Sequence, residues 1–339
     1  METSSKLHNP TLDVNERAPV PIKERLMLAL KFALVGVVFY YLYRKGLITT
    51  SSFQKMAASP KTLIICSVLM FLNTLFGALR WQVLLKSQGA DLRFLQVLKL
   101  NMVGAFFNIA LPGAVSGDFV KAVHVAKMFK DKRAAIFGSM LFDRILGVSA
   151  MVFVAAFSAL LSVFLPWGGS LPSFLLIAVG VVGVANILFF IYLFLSHERD
   201  PLFELLKFFT KRSEKLGAVD RLYQGVMGYR QHPSRILKGI GVSIMIHLFL
   251  VLIAFFITEA ISADSLSVIA VAVIAPIGML ATTLPVLPAG VGTGHAAFYA
   301  LYHLVGSSLG AEVFSMIVLY QVLVGAIGGV VYLKVLSEK

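Results

Sequence analysis

The chain has 339 residues, 58% of them apolar and only 14% charged, with a mean hydropathy of +0.86. Soluble domains carry roughly a quarter charged residues, so a soluble enzyme or binding module is excluded and one polytopic membrane domain is expected. The net charge of +13 sits at the ends of apolar stretches, which suits anionic lipid headgroups and argues against nucleic acid as a partner.

Residues 1–22 are polar, contain Pro10, Pro19 and Pro21 and show no helical period, so they read as a flexible cytoplasmic tail. They are not a signal peptide, because the apolar stretch that follows lacks a small-residue cleavage site. Residues 23–339 form a single integral membrane domain. Spanning or partly spanning helices are predicted over Leu26–Tyr43, Thr62–Leu79, Ala134–Leu165, Pro172–Ser196, Ile236–Thr258, Leu266–Leu284 and Val313–Leu336. Phe94–Ala110 and Ala296–Val305 are apolar but short for a core of about 30 Å at 1.5 Å per residue. They read as halves of broken or re-entrant helices. The expectation is an all-α, multi-pass protein with about seven to nine membrane helices, of the cell inner (plasma) membrane.

The Lys/Arg bias gives the orientation. Segment 119–133 holds Lys121, Lys127, Lys130, Lys132 and Arg133, and segment 197–238 holds nine Lys/Arg. Pro166–Leu171 has no charge and Ala260–Ser265 only Asp264. The basic segments belong in the cytoplasm. The first hairpin fits poorly, since an inside N-terminus leaves Arg44, Lys45, Lys55 and Lys61 outside. Within 199–233, Leu202, Leu205, Leu206, Phe208 and Phe209 recur among Glu204, Lys207, Lys211 and Lys215. That rhythm gives either an amphipathic cytoplasmic helix at the lipid surface or a linker helix packed on the bundle.

Two apolar regions are interrupted by nearly the same phrase. One runs Asn108-Ile-Ala-Leu-Pro112-Gly113-Ala-Val-Ser-Gly117-Asp118; the other runs Leu284-Pro-Val-Leu-Pro288-Ala-Gly290-Val-Gly292-Thr-Gly-His295. Proline removes a backbone donor and glycine is a poor helix former. Broken backbone survives at membrane depth only where protein or a water-filled cavity satisfies it. A matched pair of breaks, one per half, points to an internal inverted repeat with a binding site at its interface.

Around the first break, Asp118 and Lys121 share a helix face at i, i+3. A helix starting near Gly117 turns its free N–H groups toward an anion; the plain alternative is an N-cap and an interfacial lysine. Asp143-Arg144 interrupts an apolar helix near midplane depth, or nearer the cytoplasmic face if the first turns of that long helix protrude. Neighbours about 100° apart neutralise each other poorly, so each needs another partner: a lipid phosphate for Arg144 and Lys121 for Asp143, or a structural ion-pair network. His295 closes the second break and titrates in the right range to answer substrate or protons. His247 and His303 read as buried histidines bonded to backbone. Asn73, Asn101, Asn186 and Gln321 read as interhelical hydrogen-bonding groups, and Arg80-Trp81 as an interfacial anchor. Gly325 and Gly329 form a G-x-x-x-G for close helix packing.

No nucleophile elbow, P-loop or dinucleotide fingerprint is present. No Cys/His/Asp spacing suggests a metal, and Cys66 alone allows no intrachain disulfide. No cofactor and no catalytic residue are assigned, although a membrane-embedded transferase using Asp118, Asp143 and Arg144 stays open.

The stretch from Asn101 through Asn108, Leu111-Pro112-Gly113 and Gly117-Asp118 to Lys121, then Asp143-Arg144-x-x-Gly147, then Leu284-Pro-x-x-Pro288-x-Gly290-x-Gly292, resembles the lysylphosphatidylglycerol synthase transmembrane-region family. The resemblance runs from roughly Leu26 to Leu336. It implies a helical domain associated with moving lipids or lipid-linked headgroups across the bilayer. It also implies, for multidomain members, a following cytoplasmic synthase domain, which this sequence does not contain. The family usually has arginine at Lys121 and glutamate at His295. The expected substrate-binding set is Asn108, Pro112, Gly113, Gly117, Asp118, Lys121, Asp143, Arg144, Pro288, Gly290, Gly292 and His295. The expected activity is flipping or facilitated transport of an anionic or isoprenoid-type lipid. The alternative is a non-transporting subunit that serves a lipid synthase or glycosyltransferase, so a membrane phospholipid or lipid-linked substrate and a lipid-modifying enzyme are the expected partners.

Overall fold

The helices on either side of each proline-glycine interruption pack back on one another. The computed structural model describes residues 49–110, 116–165, 171–195, 226–262, 266–283 and 290–337, with Val37, Tyr40, Tyr43 and Arg44. The tail over 1–22, most of Leu26–Tyr43, Pro112, Gly113, Pro288 and most of 199–233 lie outside the described residues. Ten α-helices are present among the described residues: α1 (Thr50–Ala57), α2 (Pro60–Ser87), α3 (Phe94–Ala110), α4 (Ser116–Met128), α5 (Arg133–Phe164), α6 (Ser173–Leu195), α7 (Pro233–Ile261), α8 (Val268–Thr282), α9 (Thr293–His303) and α10 (Gly310–Ser337). Five of them, α2, α5, α6, α7 and α10, are long and apolar enough to cross a membrane. The protein is an all-α, multi-pass membrane protein.

The remaining arms are too short to cross. α3 and α8 have 17 and 15 residues, about 26 and 22 Å at 1.5 Å per residue. The segment predicted over Leu266–Leu284 is therefore the first arm of a hairpin rather than a full span. α4 returns along α3. The Gly117 N–H donates to Asn108 Oδ1 at 2.8 Å, and four residues on, Lys121 Nζ reaches Asn101 Oδ1 at 3.2 Å. The arms cross where both backbones lack a Cβ, at Gly104 and Gly117; a methyl group on Gly117 would stand 2.6 Å from the Gly104 carbonyl carbon. α9 returns along α8 in the same way. Gly290, at φ +69°, turns against Thr282, and Gly278 lies against the Phe298 ring.

Packing exchanges the two halves of the chain. α2, α3, α4 and α5 correspond to α7, α8, α9 and α10. α3 packs on α10 as α8 packs on α5, α4 on α5 as α9 on α10, and α2 on α5 as α7 on α10, while α2 and α7 pack on each other. Even the first residues match, since α2 and α7 both open on proline, whose fixed φ suits a first helical turn. The arms entering the two hairpins run in opposite senses relative to α10. α3 is antiparallel to it, with Met102 beside Gly328 and Ala105 beside Gly325. α9 is also antiparallel to it, with Phe298 beside Gly310 and Gly294 beside Phe314, so α8 is parallel. This is an inverted repeat, with α6 as an extra helix packed on α5. Gly325 and Gly328 admit the α3 backbone and Gly329 admits the Phe106 ring, the close packing that the G-x-x-x-G spacing predicts.

Polar residues divide the ends of the bundle. Lys132 Nζ donates to the Gly89 carbonyl at 2.6 Å, which joins turn 88–93 to the basic turn 129–132 at one end. Buried Tyr229 stacks on Phe142 at 4.3 Å near that end and donates to the Leu84 carbonyl at 3.1 Å; burial pushes its phenol pKa up. At the opposite end α1 docks on α10. Thr49 and Ser52 donate to the buried Glu312 carboxylate at 2.7 and 2.8 Å, and Lys55 donates to the Ile261 carbonyl at 3.0 Å. By the positive-inside rule the first end is cytoplasmic, which puts Lys55 and Lys61 outside. The lipid face is plainest on α6, where Phe174, Ile177, Val181, Val184, Leu188 and Ile191 are exposed at helical spacing.

Candidate functional site

Asp118 lies in the first turn of α4, just past the closed end of the first hairpin. From Met128 back to Asp118 is about 15 Å along α4, and from Arg133 to Arg144 about 17 Å along α5. Two helices entering from the same end thus deliver an anion and a cation to the same depth, near the middle of a core of about 30 Å. They meet there. Asp118 Oδ1 accepts from Lys121 Nζ at 2.8 Å, and Asp118 Oδ2 accepts from Arg144. Two cations on one carboxylate leave this cluster at +1. Asp118 and Lys121 are buried, whereas the Arg144 side chain is 32% exposed, so Arg144 is the group an incoming ligand meets first.

Polar and aromatic neighbours hold the cluster in place. Lys121 Nζ also donates to Asn101 Oδ1, and Asn101 Nδ2 is itself fixed on the Thr74 carbonyl at 3.2 Å. The ammonium stands 4.7 Å from the centroid of the Trp81 ring, a cation–π distance. The Trp81 indole N–H is buried with no partner among the described residues. At the closed end, Asn108 receives the Gly117 N–H and Ser116 Oγ donates to the Phe107 carbonyl at 3.1 Å. The structure thus brings Asn108, Gly117, Asp118, Lys121 and Arg144 together.

Asp143 belongs to a separate network. It does not pair with Lys121, the partner the sequence suggested. Arg80 of α2 grips it through both oxygens, Nε to Oδ1 at 2.7 Å and Nη2 to Oδ2 at 2.9 Å, and reaches Ser243 Oγ of α7 at 3.1 Å. Arg80 is therefore an internal clamp rather than an interfacial anchor, because α2 continues past it to Ser87. Its position at the end of an unbroken apolar run was the available signal, since an arginine inside a span calls for a buried partner. Asp143 and Arg144 do face different neighbours, as the helix geometry requires.

The second hairpin carries Gly290, Gly292 and His295 in a different role. Ser116-Gly117-Asp118 in the first hairpin corresponds to Thr293-Gly294-His295 in the second. His295 Nδ1 accepts from the Gly292 N–H at 3.2 Å, and Nε2 meets Ser315 Oγ at 3.0 Å. Ser315 commits its hydroxyl proton to the Ala311 carbonyl at 2.8 Å. The ring is therefore neutral, with its proton on Nε2. It caps α9 and ties it to α10, edge-on to Phe314 at 4.8 Å between centroids. The two breaks thus differ in kind: one is a charged cluster, the other a neutral cap.

Two other histidines depart from the sequence reading. His303 is exposed and stacks on Tyr299 at 6.1 Å. His247 is buried, but neither of its ring nitrogens makes a hydrogen bond of good geometry. Asn73 and Asn186 bond across helices to the Ile246 and Ser149 carbonyls, at 2.9 and 3.1 Å, as predicted.

The sequence model of the family described as "Lysylphosphatidylglycerol synthase TM region" matches residues 28–330. A UPF0104 membrane protein of Methanothermobacter thermautotrophicus is 23% identical over 269 residues, covering 74% of this chain and 78% of that protein. A UPF0104 membrane protein of Pyrococcus horikoshii is 25% identical over 133 residues, covering 39% of this chain and 38% of its own length. No solved structure matches the chain.

Proposed function

The chain belongs to the lysylphosphatidylglycerol synthase TM-region family, and from that premise we propose that it moves an anionic or isoprenoid-type lipid between the leaflets of the cell inner (plasma) membrane. The observation that carries this reading is the +1 cluster of Asp118, Lys121 and Arg144, held at mid-membrane depth by a hairpin that does not cross. Isolated charge at that depth is costly, and where it is kept it marks a substrate path. An anionic headgroup entering beside Arg144 neutralises the surplus. Asp118 keeps the two cations apart from each other and available from one side, while the close crossing at Gly104 and Gly117 holds the arms together. The acyl chains stay against the apolar outer face, so only the headgroup needs a polar route.

The neutral second hairpin supports a division of labour. The first half holds the headgroup; the second, capped by His295, packs against α10 and α5 and acts as the gate. A lipid-modifying enzyme that supplies or consumes the transported lipid fits the same reading as a partner.

Leaflet exchange of a fluorescent anionic lipid in liposomes, with and without the purified protein, tests the proposal. Exchange is expected with the wild type and is expected to fall at least tenfold in Arg144→Ala with unchanged folding. No exchange above empty liposomes across several anionic lipids would refute transport and favour the non-transporting subunit.

A further inference from the structure

Gln321 lies in the middle of α10, and the transport site just described makes no use of it. Both hairpins end against one stripe of that helix. Gly294, in the first turn of α9, lies beside Phe314, and Ile109, in the last turn of α3, lies beside Gly325. Phe314, Gln321 and Gly325 follow one another at i, i+7 and i+11, which is a single helix face. Gln321 is therefore the residue between the ends of the two broken segments. It stands about 17 Å along α10 from Gly310, as far as Arg144 stands along α5 from Arg133. The two helices enter from opposite ends, so both side chains come to mid-membrane depth. The lipid face of α10 is the stripe of Leu319, Val322, Leu323, Ile327 and Val330, all exposed. At about 100° per residue, Gln321 points away from that stripe and into the bundle. Ile317, Gly325 and Gly328 on the same inward face are buried, yet Gln321 is only half-buried. No described residue hydrogen-bonds its side-chain amide, so it makes none of the interhelical bonds the sequence suggests. It lines an open space between the hairpin ends. An amide without a partner at this depth costs free energy that an apolar residue would avoid.

We propose that Gln321 binds the phosphate of the lipid headgroup as it passes between the two hairpins, as the uncharged counterpart of Arg144; this rests on the transport reading above for its ligand. The repeat supports the pairing, because Gln321 follows His295 at the same spacing as Arg144 follows Asp118. A primary amide presents two N–H donors, which stand in for the guanidinium when the phosphate leaves Arg144. Being neutral, the amide holds the anion less tightly than the Asp118, Lys121 and Arg144 cluster does. The capping role of His295 leaves the second hairpin with no charge to add. A route whose second contact is weaker than its first lets the headgroup leave.

The test measures binding and exchange separately on the full chain: binding of phosphatidylglycerol in zwitterionic nanodiscs, and leaflet exchange of fluorescent phosphatidylglycerol in liposomes. Gln321→Leu removes the amide and leaves the cationic cluster intact. It is expected to bind as the wild type does but to exchange lipid about tenfold more slowly, the loss of one hydrogen bond to a charged group. Its unfolding in mixed detergent–SDS micelles is expected no earlier than that of the wild type, since no protein hydrogen bond is lost. Gln321→Arg is expected to bind about tenfold more tightly and also to exchange more slowly, because the second contact then holds the anion. Leu323→Ala, on the lipid face, is expected to change neither. Gln321→Met, of similar length and without the amide, serves where Gln321→Leu does not fold. Wild-type exchange in Gln321→Leu overturns this inference and leaves the transport reading standing. Slower exchange accompanied by earlier unfolding does the same, because it makes the residue a structural one. Failure of the wild type to exchange any anionic lipid above empty liposomes overturns both.

Discussion

Gly117→Ala is the sharpest structural test of the first hairpin. The added methyl group would lie 2.6 Å from the Gly104 carbonyl carbon and 2.9 Å from Asn108 Cγ, while ordinary carbon–carbon contact begins at about 3.5 Å. The Gly104 carbonyl oxygen stands closer still, so the α3 and α4 backbones must separate by more than about 0.9 Å; that carbonyl is backbone and cannot swing away, although the Asn108 side chain can. Overpacking of this kind costs about 1–3 kcal/mol. Loss of the Gly117 N–H bond to Asn108 adds about 1 kcal/mol, and the better helix propensity of alanine returns at most about 1 kcal/mol. The net expectation is a destabilisation of about 1–3 kcal/mol. Two controls set the scale. Gly104→Ala meets its nearest atom at 3.2 Å and Gly180→Ala meets nothing within 4 Å, so the first is near neutral and the second neutral or stabilising. Reversible unfolding in mixed detergent–SDS micelles reads the order directly. If Gly117→Ala is as stable as Gly104→Ala, the glycine crossing does not hold the hairpin and the argument fails.

Three other outcomes follow from the charges and caps. Asp118→Asn leaves Lys121 and Arg144 without their shared carboxylate and is expected to cost about 3–5 kcal/mol; the same unfolding assay should show most of that recovered in Asp118→Asn with Lys121→Met. Arg80→Ala strands Asp143 and costs a similar amount, whereas Arg80→Met with Asp143→Leu is expected to unfold near the wild type. His295→Ala removes the acceptor for the Gly292 N–H and the link to Ser315, a loss of about 1–2 kcal/mol, detectable as faster amide hydrogen exchange over residues 290–298.

Much of this architecture can be read in the chain because apolar length and backbone chemistry act locally. The helix predicted over Ala134–Leu165 is found at Arg133–Phe164, and the short segment Phe94–Ala110 is a helical arm that packs against α4. The pairing of Asp118 with Lys121 is also local, being set by i, i+3 spacing on one helix. What the chain alone does not reveal is long-range. Asp143 has Arg80 for a partner because α2 crosses α5, and 63 residues separate the two in sequence. Nor does sequence alone tell a histidine that titrates freely from one that caps a helix. His295 has its tautomer set by Ser315 on another helix and by the Gly292 N–H, and no neighbour in sequence announces the serine.

The exchange of packing partners between the two halves has a conformational consequence. Because the two halves share one contact pattern with the faces of the bilayer swapped, any difference in arrangement between the two hairpins implies a counterpart state in which they trade arrangements and inside and outside are reversed. The chain need not evolve a separate opposite-facing state; each hairpin only has to adopt the environment its counterpart already occupies. The sequence difference between Ser-Gly-Asp and Thr-Gly-His then sets the energy gap between the two. Spin labels at Leu95 and Tyr299, both exposed, should report two distance populations whose ratio shifts in Asp118→Asn, and a single unshifted population would count against it.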